Sequence, residues 1–104
     1  MTPSADIKVL KLTLQAKWFN LIAQGVKTEE YRAIKPWTES RLVDRKNNSF
    51  RKYDFVEFAN GYSKTAPRIR LVHEGTRLEN GQNHPTCGEP SGEHYVLMLG
   101  DRVS

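Results

Sequence analysis

A single cysteine, Cys87, stands in a chain of 104 residues, so no internal disulfide can form and packing and hydrogen bonds must hold the fold. One free thiol suits a reducing compartment, and a cytoplasmic location is expected. Long apolar runs are missing too. No stretch approaches the ~20 consecutive apolar residues that a membrane-spanning helix requires, so no membrane partner is expected. Residues 1–8 carry no apolar segment behind a basic start, which argues against a secretory signal. No segment repeats, none is of low complexity and none reads as a linker, leaving one domain over residues 1–104. The seven glycines lack the spacing of a phosphate-binding P-loop. His84, Cys87 and His94 fall short of the four close ligands of a zinc site, no second Cys pair accompanies them, and no metal is assigned.

What the chain does have is charge, unevenly placed. The formal net charge is +4, yet residues 1–52 hold eleven basic and five acidic side chains, while residues 53–104 hold five and seven. The densest run is residues 41–52, where Arg41, Arg45, Lys46, Arg51 and Lys52 face one acid, Asp44. Such a run attracts a polyanion, although the same composition also describes a solvated loop.

Hydropathy patterning supplies the elements. Leu10, Leu12 and Leu14 alternate with Lys11, Thr13 and Gln15, the period of a half-buried strand, with Ile7 and Val9 on the opposite parity. Residues 16–24 change to a helical period through Phe19 and Ile22, and Gly25 falls at the expected C-cap. A strand over 27–33 would place Glu30 and Arg32 on one face. Pro36 bars helical geometry at Lys35, so Thr38 is expected to cap a short helix over 39–44. Residues 45–52 should then be a mobile connection. Strands are expected over 53–59, 68–74 and 93–99, with Asn60-Gly61 as a turn and residues 75–92 as a long loop or a pair of tight turns. Five short strands and two helices, without regular alternation, point to an α+β fold and a small mixed barrel with helices at its openings.

The most informative segment is Gly25-Val26-Lys27-Thr28-Glu29-Glu30-Tyr31-Arg32, a G-x-K-x-x-E-x-R pattern between a helix and a strand. With Trp18-Phe19-Asn20-Leu21-Ile22 before it, and Ala33-Ile34-Lys35-Pro36-Trp37, Phe58-Ala59-Asn60-Gly61-Tyr62 and Val96-Leu97-Met98-Leu99-Gly100 after it, the chain resembles the short ASCH proteins of bacteria and their phages. The resemblance implies a PUA-like β-barrel whose cleft accepts RNA or a modified nucleoside. It also implies hydrolysis as an alternative, with Lys27 and Glu30 as catalytic residues. Similarity to members that deacetylate N4-acetylcytidine gives Lys27 the catalytic lysine position, but their threonine three residues on is Glu30 here. In metal-assisted RNA cleavage a divalent cation would join these groups; no other cofactor is called for. A non-enzymatic protein-interaction factor is the third alternative, its protein partner unspecified.

The expected binding residues are Lys27 and Arg32 in the cleft that the resemblance implies, Lys17, Tyr31, Trp37 and Tyr62 from aromatics interleaved with charge, and Arg45, Lys46, Arg51 and Lys52 from the basic run. Trp18, on an amphipathic helix, is expected in the core. Trp37, after a proline, is expected as an exposed platform.

Overall fold

Alternation at the start of the chain builds the first strand of the computed structural model, which describes residues 7–84 and 89–104 and, at 82–84 and 89–91, the backbone alone. Strand β1 (Val9–Leu14) buries Leu10, Leu12 and Leu14, and its start at Val9 leaves Ile7 exposed. Helix α1 (Ala16–Ala23) buries Phe19 and Ile22, with Trp18 packed at the margin of the core. Gly25, at φ 76°, lets the chain reverse: its N–H donates to Ile22 O at 3.1 Å and the Val26 N–H to Leu21 O at 3.0 Å. Two of the helix's last carbonyls are satisfied in this way.

Strand β2 (Glu29–Ala33) follows, then helix α2 (Pro36–Leu42). The helix begins earlier than the expected Thr38 cap. Lys35 is its N-cap, in extended geometry, and Pro36 occupies the first turn, where a missing N–H costs nothing. Thr38 is buried inside the helix instead. Residues 45–52, expected to be a mobile connection, include a hairpin turn. Strands β3 (Val43–Asp44) and β4 (Ser49–Phe50) pair antiparallel. Their turn is held by Asp44, whose carboxylate accepts the Lys46 and Asn47 N–H groups and the Asn47 side-chain amide, while Asn48 adopts φ 53°.

Strand β5 (Phe55–Asn60) leads to β6 (Arg68–His84) and β7 (Glu89–Arg102). These two replace the long loop expected over 75–92, of which residues 85–88, Cys87 included, lie outside the described residues. Strand β6 continues through register shifts at Leu71/His73 and His73/Gly75 rather than ending, pairing with β5 over Arg68–Val72 on one side and with β7 from Leu71 onward on the other.

The five long strands form one mixed sheet in the order β1-β5-β6-β7-β2, with β1 parallel to β5 and the other pairs antiparallel. Its inner face, with α1 and Leu42, makes the core: Leu12, Val56, Phe58, Ile69, Tyr95, Leu97 and Leu99 among others. The sheet does not close into the expected small barrel. Strands β1 and β2 are the sheet's two outer strands, and no backbone ladder joins them among the described residues. A side chain crosses that seam: Arg32 Nη2 on β2 donates to the Thr13 carbonyl on β1 at 3.1 Å. No helix among the described residues is long and apolar enough to cross a membrane.

Candidate functional site

The reversal after α1 carries Lys27 inward, and β2 then presents Glu30 and Arg32 to the same side. Lys27 is 6% exposed and Glu30 5%. Lys27 Nζ lies 3.5 Å from Glu30 Oε1, and Arg32 Nε lies 3.0 Å from Glu30 Oε2, so one carboxylate serves two cations. Two rings also stand against Lys27: its Nζ lies 4.4 Å from the Tyr31 ring centre and 5.1 Å from that of Trp18. Electron-rich ring faces compensate part of the hydration that the ammonium loses on burial. Tyr31 is fixed in turn by its hydroxyl, which donates to Glu29 Oε1 at 2.9 Å, and by an edge contact with His94.

Burial raises the Glu30 pKa above the usual carboxylate value, against the opposing pull of the Arg32 and Lys27 charges. Lys27 and Glu30 are buried, and Arg32 carries the network toward the surface. That side chain is about one-quarter exposed and reaches from Glu30 to the seam. There it lines a hollow of about 400 Å³ together with Lys11, Leu12, Thr13, Trp37 and Tyr62. Trp37 is half exposed, with the Arg41 guanidinium 5.0 Å from its ring centre, and Tyr62 is 93% exposed. A cation held in place from behind, a second cation and two exposed aromatic side chains can receive a flat ring carrying an anionic group.

Other expected site residues stand apart. Lys27, Glu30 and Tyr31 do not line this hollow. Lys17 is on the surface of α1, its Nζ 4.7 Å from the Trp18 ring centre. The basic run is organised by local contacts: Arg45 pairs with Glu39, and Arg51 Nε donates to Ser40 O at 3.2 Å. Arg45, Lys46, Arg51 and Pro36, with Asp44, border a second hollow of about 360 Å³. Arg51 and Lys52 continue into a third, of about 580 Å³, with Lys8 and Tyr53. These two hollows share Asp44 and Arg51, and neither shares a lining residue with the Arg32 hollow.

Sequence reasoning missed Lys8, Lys11 and Thr13. The signal was available for the last two: they are the outward parity of β1, opposite Leu10, Leu12 and Leu14. Among the described residues no cluster of His, Cys, Asp and Glu could hold a metal ion; the side chain of His84 and all of Cys87 lie outside them.

The fold and site together define a small α+β protein with a mixed five-stranded sheet and a charged, aromatic hollow at its seam. Comparison of the chain with protein families, with curated proteins and with solved structures finds no match.

Proposed function

We propose that this protein binds RNA or a nucleotide-like ligand, one base stacking at Trp37 and Tyr62 and a neighbouring phosphate meeting Arg32 and Lys11. The observation that carries this reading is the Arg32 side chain, tethered to buried Glu30 and to the Thr13 carbonyl, in a hollow flanked by two exposed aromatic residues. The cationic surface at Arg45, Lys46, Arg51, Lys52 and Lys8 leads the rest of a strand away from the hollow. The resemblance to ASCH proteins, and with it a PUA-like relationship of the rolled sheet, belongs to the same proposal. Burial of Lys27 and Glu30 favours binding over hydrolysis, because a general base or metal-holding carboxylate must reach the bond it acts on.

Fluorescence anisotropy with labelled single-stranded RNA tests it. Trp37→Ala and Tyr62→Ala should each weaken binding about 5- to 150-fold, the range of ~1–3 kcal/mol per stacked base. Arg32→Gln should weaken it as well. Wild type that fails to bind at low salt, or aromatic variants that bind as the wild type does, would overturn the proposal. RNA cleavage in the presence of divalent metal, abolished by Lys27→Ala, would replace it with the hydrolytic reading.

A further inference from the structure

Strand β6 is paired on one side only beyond its bend. From Gly75 onward its paired neighbour is β7, and among the described residues no strand pairs with its other side. The direction of its free groups follows from the ladders. The Leu99 N–H donates to Thr28 O, toward β2, so Met98, Val96 and His94 direct their backbone polar groups toward β6. Their partners there are Gly75, Arg77 and Glu79. The alternate residues Thr76, Leu78 and Asn80 must then present their N–H and C=O groups to the open edge.

We infer that this edge pairs with the same edge of a second copy of the chain, antiparallel and centred on Leu78. In that register Leu78 faces Leu78 of the partner subunit, and Thr76 faces the partner's Asn80, all as hydrogen-bonded pairs. Arg77 falls opposite the partner's Glu79, at the closely spaced, non-hydrogen-bonded position where opposite charges attract most. The charge pattern selects this register: centring on Arg77 or on Glu79 would set like charges face to face, and centring on Thr76 or Asn80 would leave both without an opposite charge.

Two features of the single chain agree with such a partner. Arg77 is already aligned on this face, with Nη2 2.7 Å from Glu79 Oε2 and Nη1 3.0 Å from Glu29 Oε2, so two copies would form one alternating row of charges. Leu78 is 49% exposed beside an apolar hollow of about 270 Å³ lined by Val43, Phe50 and Tyr95. A two-fold edge contact covers both leucines at once, joins two five-stranded sheets into one and removes an edge otherwise open to indiscriminate pairing.

Sedimentation over a range of concentrations tests the inference. The wild type should pass from 12.0 kDa toward twice that mass as concentration rises. Asn80→Pro removes an outward N–H without breaking the β7 ladder, and Leu78→Lys sets two charges against each other. Each variant should stay at the monomer mass with an unchanged circular dichroism spectrum. Arg77→Glu and Glu79→Arg proteins should each be monomeric alone and associate on mixing, because only the mixed pair is complementary. A wild type that remains monomeric throughout, or a dimer that survives Asn80→Pro and Leu78→Lys, would overturn it. So would charge variants that fail to associate on mixing while the wild type dimerises.

Discussion

Lys27 carries a charge with almost no access to water, and Glu30 is what makes this tolerable. Removing that carboxylate in Glu30→Ala takes a charged partner from a buried ammonium, and should lower stability by ~3–5 kcal/mol in urea unfolding. Glu30→Gln, which keeps the shape and a polar oxygen, should cost less. The pH dependence has a definite sign. Because burial raises the folded-state pKa of Glu30, the folded protein holds that proton at pH values where the unfolded chain has released it. The contribution of Glu30 is fully present below its ordinary value of 4.5 and is lost as pH rises through the raised value. The stability difference between wild type and Glu30→Gln should therefore shrink over that interval. A difference that grows would mean that attraction to Arg32 and Lys27 outweighs desolvation. Parity in the sequence put Glu30 and Arg32 on one side, which the strand bears out. The burial of Lys27 was not legible, because a lysine after a helix C-cap is ordinarily solvated and its enclosure depends on Trp18, nine residues earlier, and on the Tyr31 ring.

The early elements were easier to read than the late ones. Strand β1 and helix α1 have strong periodicity and a glycine stop, and both form close to where the pattern puts them. The stretch from Gly75 to Gly92 looked like turns because glycines usually mark them. In the structure Gly75 instead serves the bend in β6, at φ 145°, where a Cβ would come within 3.0 Å of Met98 Cε. A glycine that admits a bulge and one that ends a strand look alike in sequence. The 43–50 hairpin misled in the opposite way: its charged residues suggested mobility, but Asp44 gathers the turn and Phe50 packs edge-on against Tyr95. The ordered hairpin sets the backbone that carries Arg45 and Lys46 and leads into Arg51 and Lys52, which gives a prediction for this element. Neutralising Arg45, Lys46, Arg51 and Lys52 should flatten the plot of log affinity for RNA against log salt by ~0.7 for each phosphate that is no longer neutralised. An unchanged slope would remove the hairpin from the binding surface.

At the scale of the whole molecule, the strand order puts β7 between β6 and β2, although both precede it in the chain. Strand β7 also brings Tyr95, Val96, Leu97 and Leu99 to the interior, so the core is incomplete without it. During synthesis, β2 waits some sixty residues for its partner, with Glu30 paired to Leu97 in the finished register. Contacts this distant in sequence form slowly, because the intervening chain must be closed before they repay it. Nascent chains stalled on the ribosome should exert folding tension only once β7 has cleared the exit tunnel. Tension from a shorter chain, ending before residue 89, would show that β1, β5 and β6 fold as an autonomous unit. Translation arrested at that point would otherwise leave β2 and β6 as unsatisfied edges on an unfinished core, a client for chaperones until the ribosome resumes.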